Sequence, residues 1–214
     1  MKLNLAIKLR TRKILDFDIV HRRQGGGYLC GIDEAGRGPI AGPVVAAAVI
    51  FSDDIYIDSV FDSKKVSHKK RSELFEQIKH AALAFGIGLA TRDEIDALNI
   101  LQATKLAMNR AVEKLKIKPE KIIADGNFYS SPVSPVENII HGDEKSFSIA
   151  AASILAKVTR DRIMEELGNS YPHFSFAHHK GYCTKAHIDE LLEHGYTDIH
   201  RRSFKIKAVQ PELL

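Results

Sequence analysis

Three short acidic motifs carry the side chains best suited to hold a hard cation. Asp33 and Glu34 stand side by side after the apolar run 28–32 and before Gly36-Arg37-Gly38. Asp125 follows Ile122-Ile123-Ala124 and precedes Gly126, and Asp143 follows Gly142 shortly before an alanine-rich stretch. Adjacent carboxylates at the end of a buried strand are costly, because both charges lose water and repel each other; a divalent ion relieves both penalties. Clustered carboxylate oxygens suit Mg²⁺ or Mn²⁺. Each motif has an ordinary alternative. Asp beside Gly forms solvated turns, and an acid ahead of a helix caps it and meets its dipole. Three such motifs, each at the end of an apolar element, are jointly hard to assign to turns and caps alone.

The elements that must position these acids are legible from periodicity. Residues 28–33 read as a short apolar strand, and the valine-rich run 44–51 reads as a second strand buried on both faces. The Gly/Pro-rich stretch between them predicts a hairpin. Residues 67–85 have helical period with Ser67 as N-cap, 85–91 read as a strand, and 97–115 as a second amphipathic helix. Residues 121–125 and 138–141 complete a set of five strands, 146–167 form a third long helix, and a short helix ends at Gly195. Strands first and helices after, with a parallel crossover between Asp33 and Asp125, predict an α/β fold: a mixed five-stranded sheet flanked by helices. Ligands of such sheets gather at the carboxyl ends of parallel strands, where both acids fall.

Residues 1–27 read as a basic N-terminal extension joined through Gly25-Gly26-Gly27 as a hinge, 28–204 as the main domain, and 205–214 as a tail. No apolar run is long enough to span a membrane, and the N-terminal segment is too interrupted to be a secretory signal. Two cysteines with no CxxC spacing predict a reducing cytoplasm rather than a disulfide framework. The net charge of +4 is compatible with nucleic acid as partner without requiring it.

The motifs DEAGRGPIAGPVVAAAVIF, DSKKVSHKKR, IIADGN, GDEKSFSIAAASILAKVTRDR, HKGYCTKAHIDELLEHG and HRRSF occur in one order over residues 28–204. Together they resemble the ribonuclease HII family. The resemblance implies a ribonuclease H-like fold with a small C-terminal helical segment. It also implies four catalytic metal ligands, Asp33, Glu34, Asp125 and Asp143, and use of two Mg²⁺ or Mn²⁺ ions with substrate bound. Two ions about 4 Å apart can activate a water and stabilise the leaving oxygen of an in-line displacement. The implied activity is cleavage of RNA in RNA/DNA hybrids and nicking 5′ to single ribonucleotides in duplex DNA, leaving 3′-hydroxyl and 5′-phosphate ends.

The resemblance further implies that Gly36, Arg37, Gly38 and Tyr182 read the ribose 2′-hydroxyl, and that Ser63, Lys64 and Lys65 contact phosphate. Without that context Tyr182 reads as a packing aromatic and 63–65 as a solvated loop. Asp161, between Arg160 and Arg162, competes with Asp143 for the fourth ligand position. It is expected to lie about 22 Å from Ser146 along one helix, engaged in a surface ion pair. Six of the ten histidines crowd the C-terminal third without a zinc-ligand spacing, which favours packing, surface or phosphate-contact roles. The chain is expected to act as a monomer. Gln210-Pro211-Glu212-Leu213-Leu214 resembles peptides that dock on bacterial sliding clamps.

Overall fold

The computed structural model describes residues 2–25, 27–61 and 67–206. Five strands, β1 (Leu29–Ala35), β2 (Val44–Ile50), β3 (Ala84–Ala90), β4 (Lys121–Asp125) and β5 (Val136–Ile139), form one sheet in the order β3-β2-β1-β4-β5. The β1–β2 and β2–β3 pairs are antiparallel, and β1–β4 and β4–β5 are parallel. This is the mixed five-stranded α/β arrangement that the strand pattern predicts.

Strand β2 shows why an unbroken apolar run was needed. Val44, Ala46, Ala48 and Ile50 enter one core, while Ala47 and Val49 enter the other. Helix α5 (Phe147–Ser170) covers the second face, packing Ile154, Leu155 and Ala151 with Leu74 and Ile78 of α2 (His68–Ala81). The first face is covered by α4 (Ile100–Glu113) through Ala107, Met108 and Ala111. Glycines make that approach close: a Cβ on Gly86 would lie 2.1 Å from Ala111 O, and one on Gly88 2.1 Å from Ala107 O.

Two predicted helices are shorter than their periodicity suggests. The helix expected to reach residue 85 stops at Ala81, where Ala82 turns extended and Leu83 N–H bonds Ile50 O, committing the chain to β3. Of the helix expected over 97–115, residues 100–113 form α4, while 97–98 close a separate helix, α3 (Arg92–Leu98), that the periodicity does not predict. Thr91 and Glu94 make a capping box for α3, and Asn99, at φ +69°, bonds the N–H groups of Leu101 and Gln102 to start α4.

The N-terminal segment corrects the expectation of an appended extension. It forms α1 (Lys2–Gly25), which buries Ile14 and Leu15 in the core shared with α2 and α5. Its Asp18 is buried and accepts from Ser148 N–H at 2.7 Å and Ser148 Oγ at 2.6 Å, at the start of α5. The sequence hid this helix because its buried face, Thr11, Ile14, Leu15, Asp18 and Arg22, is largely polar, so no apolar stripe marks it.

The C-terminal segment holds α6 (Phe176–His179) and α7 (Lys185–His194). Phe174, Phe176 and Leu191 pack there with Met164 of α5 and with Ile40 and Ala41 from the β1–β2 connection. Among the described residues no helix is long and apolar enough to cross a membrane. Residues 63–65 and the 210–214 motif lie outside the described residues.

Candidate active site

Strand parity brings the first two acids together. Cys30 and Ile32 of β1, and Ile122 and Ala124 of β4, face α4. The alternate positions Leu29 and Ile123 pack with Ile149 of α5. Asp33 and Asp125 continue that α5-facing series. The parallel register pairs Ile32 with Ala124, so the next residue of each strand places both carboxylates at one end of the sheet.

Asp143 arrives from a 3-10 turn, Gly142–Glu144, entered through His141 in the left-handed region at φ +56°. Gly142 N–H donates to Asp125 Oδ1 at 2.6 Å, which docks the turn against β4. Ser146 then caps α5 by accepting from Ile149 N–H.

Asp33, Glu34, Asp125 and Asp143 line one cavity of about 210 Å³, together with Ala35, Gly36, Arg37, Ser153, Lys157 and Tyr182. Asp161 does not line it. Contrary to the expected surface ion pair with its neighbouring arginines, Asp161 is buried and meets Lys157 Nζ at 2.7 Å and Arg71 at 3.6 Å.

The connection carrying Gly36-Arg37-Gly38 is held from beneath by two buried arginines. Arg201 donates to the carbonyl oxygens of Gly36 (2.6 Å), Arg37 (3.0 Å), Pro39 (2.6 Å) and Gly42 (3.0 Å). Arg160 donates to Pro43 O, Ala41 O and Lys180 O. Gly36 has φ +99°, and a Cβ there would lie 2.1 Å from Arg160 Nε, so glycine is required on both counts. The Arg37 side chain pairs with Glu34 at 3.2 Å and stacks on Phe128. Above the loop, Tyr182 is 44% exposed, with the Lys157 and Arg160 cations each 5.9 Å from its ring centre. A Cβ on Gly38 would meet only Tyr182, in ordinary van der Waals contact at 3.9 Å, so the glycine lies directly beside the ring.

Burial first, and then the charges of Glu34 and Asp125, hold the Asp33 carboxyl well above its ordinary range. Burial raises Glu34 as well, while Arg37 pulls it the other way. Glu34 Oε2 is buried without a hydrogen-bond partner. Among the described residues, no set of three or more His, Cys, Asp or Glu side chains is already drawn together as a metal site. Asp33 Oδ1 accepts instead from Glu34 N–H, Asp125 Oδ1 from Gly142 N–H, and Glu34 Oε1 from Arg37. Crowded buried carboxylates with an orphaned oxygen nevertheless fit a hard divalent cation, which takes carboxylate oxygens as ligands and relieves their repulsion.

Sequence reasoning passed over Ser153, Lys157 and the two buried arginines. Their signal lay in the ASILAKVTRDR and HRRSF segments, but burial of an arginine under a loop far away in sequence has no local signature.

Solved structures share this architecture. The ribonuclease H2 from Pyrococcus horikoshii OT3 superposes with a TM-score of 0.71 at 27% identity, over 86% of this chain and 96% of that one. The RNase HII of a PCNA:RNase HII complex from Archaeoglobus fulgidus gives 0.67 at 27% identity, over 84% and 96%. A Bst-RNase HIII in complex with Mn²⁺ gives 0.57 at 18% identity, over 78% of this chain and 63% of that one, a likeness of fold alone. The fold and its acid-lined sheet end are those of a ribonuclease H-like enzyme. The sequence profile of the family Ribonuclease HII matches residues 30–207. Ribonuclease HII of Bacillus cereus (strain G9842) is 50% identical over 183 residues, 86% of this chain and 71% of that protein. The chain belongs to the ribonuclease HII family, endonucleases that act on the RNA of RNA/DNA hybrids and depend on divalent metal.

Proposed function

We propose that this enzyme nicks duplex DNA on the 5′ side of single embedded ribonucleotides, as well as cutting uniform hybrids, and leaves 3′-hydroxyl and 5′-phosphate ends. The observation that carries the reading is one cavity lined by four acids from three separate elements, with Gly36, Arg37 and Tyr182 at the same opening. Asp33, Glu34, Asp125 and Asp143 would hold the metal. Two bound Mg²⁺ or Mn²⁺ ions supply charge neutralisation and Lewis acidity for phosphodiester hydrolysis. The chain's own contribution is placement. Arg201 and Arg160 fix the 36–43 backbone, and the unencumbered Gly38 lets a ribose approach Tyr182, where a 2′-hydroxyl distinguishes RNA from DNA. Ser63 and Lys64 are assigned to phosphate contact. The free cysteines Cys30 and Cys183 accord with a reducing cytoplasm, and the enzyme is proposed to act as a monomer.

The test is a labelled duplex containing one ribonucleotide, incubated with Mg²⁺, with Mn²⁺ and with excess chelator. A metal-dependent nick 5′ to the ribonucleotide is expected. Cleavage of a uniform hybrid with the single-ribonucleotide duplex left intact would overturn the junction reading.

A sliding clamp is proposed as a second partner. It is supported by the 210–214 motif and by the Archaeoglobus fulgidus relative, whose structure is a PCNA complex. Deleting residues 210–214 should weaken clamp binding in a pull-down; unchanged binding ends the proposal.

A further inference from the structure

The C-terminal segment contains a hydrogen-bonded pair of buried histidines that ends on the residue facing the cavity. His187 and His200 are fully buried, with Nε2 atoms 2.9 Å apart. Their proton positions follow from the groups at each end. Thr197 N–H donates to His200 Nδ1 at 3.0 Å, so that nitrogen is unprotonated. Tyr182 O can only accept, so His187 Nδ1, at 2.9 Å, carries a proton. In two neutral rings His200 Nε2–H therefore donates to His187 Nε2, and every ring nitrogen is satisfied. The chain runs in one direction: Thr197 N–H to His200, His200 to His187, His187 to Tyr182 O. An added proton on either ring would set two N–H groups against each other at the Nε2 contact or face Thr197 N–H with another donor.

A second ring supports the same turn. His179 lies flat on His187 with centroids 4.1 Å apart, accepts from Gly181 N–H through Nδ1, and bonds Glu190 through Nε2. The turn needs such support. Lys180 and Gly181 both have positive φ, and Tyr182 is the next residue. Its carbonyl has two partners, Thr184 N–H at 2.8 Å and His187 Nδ1–H.

We propose that His187, oriented by His200, is a positioning residue that sets the Tyr182 backbone and so aims its ring at the substrate ribose. The inference rests on the proposed role of Tyr182. It assigns a function to histidines that otherwise read as core filler.

The test compares His187→Leu and His187→Asn, each alone and with Tyr182→Ala, on the single-ribonucleotide duplex. Both substitutions abolish the contact to His200; only Asn keeps an N–H close to the position of Nδ1. His187→Leu should lower kcat/KM about tenfold, the effect of one hydrogen bond. His187→Asn should restore most of it, and in the Tyr182→Ala background His187→Leu should cost nothing further. A packing role predicts the reverse order, with Leu at least as good as Asn and its loss persisting without the tyrosine, and that result overturns the proposal. If Tyr182→Ala itself cuts at the wild-type rate, the tyrosine reading fails and this inference fails with it. An impaired Tyr182→Ala beside an unaffected His187→Leu sinks the inference alone. Should His187→Leu not fold, ¹⁵N NMR of the native histidine rings decides. His187 protonated at Nδ1 and His200 at Nε2 support the chain, and any other tautomer pair overturns it.

Discussion

Arg201 donates through Nη2 to the carbonyl oxygen of Gly36 at 2.6 Å, joining residues 165 positions apart. The same guanidinium satisfies three more carbonyls of that loop, and burial lowers its pKa to about 9, with Arg160 adding to the effect. A cation buried against main-chain oxygens is held by geometry, and only a planar fork reaches four of them. Arg201→Lys keeps the charge but not the fork. Each carbonyl left unpaired costs about 1–3 kcal/mol. The variant should melt lower and cut the single-ribonucleotide duplex at least about tenfold more slowly, the kinetic equivalent of one lost hydrogen bond. Thermal unfolding beside a cleavage assay checks both, and a wild-type cleavage rate would show that the loop does not depend on its anchor.

Asp33 illustrates stability given up for a site. Its folded pKa is raised by burial and by Glu34 and Asp125, so the folded state binds its proton more tightly than the unfolded chain does. By linkage its ionisation at neutral pH opposes folding. Asp33→Asn should therefore raise the melting temperature in chelator, erase most of any stabilisation by Mg²⁺, and reduce cleavage on the order of 10²–10³-fold. Duplex binding should survive. A variant that melts lower in chelator would contradict the electrostatic account.

The two acids of the GDEKSFSIAAASILAKVTRDR block should separate cleanly. Asp143 lines the cavity, and Asp143→Asn is expected to remove nearly all metal-dependent cleavage. Asp161 tethers Lys157 and Arg71 instead, so Asp161→Asn should cost about 1–3 kcal/mol of stability while keeping substantial activity. Activity titrated against Mg²⁺ distinguishes them. An active Asp143→Asn beside a dead Asp161→Asn reverses the assignment.

The histidine pair predicts an acid limb in stability. Burial is the main cause pushing both His187 and His200 down to about 4 from the ordinary 6.5; the titratable and charged neighbours are His179 and Glu190 around His187, and His187, His179 and Arg202 around His200. Between those values the unfolded chain binds protons that the folded chain does not. The stabilisation is thus complete above pH 6.5 and is lost progressively as pH falls towards 4. Melting temperature measured across that range should fall more steeply for the wild type than for a His187→Asn/His200→Gln variant. Parallel curves would mean that the pair is not held neutral.

The sequence by itself determined the sheet and the location of its acids. β2 had to be buried on both faces because 44–50 contains no polar residue, and Lys121–Asp125 was bounded by a charge at each end. Asp33 and Asp125 could each be placed at the carboxyl end of a short strand because the end of an apolar run is a local signal, whereas the pairing of β1 with β4 that makes them neighbours is a tertiary fact. Tertiary structure decided what local rules do not contain. Helix α1 is stabilised by burying Ile14, Leu15 and Asp18 against elements far along the chain, so its own sequence reads as a basic extension. Asn99 breaks a continuous amphipathic pattern through a positive φ that periodicity does not register. Asp161 reads as a surface ion pair because its partner Arg71 comes from another helix. The same holds for Arg201, Arg160 and the His187–His200 chain: their partners are backbone groups or rings brought close only by folding, and a hydrogen bond spanning 165 residues leaves no mark on the residues beside it.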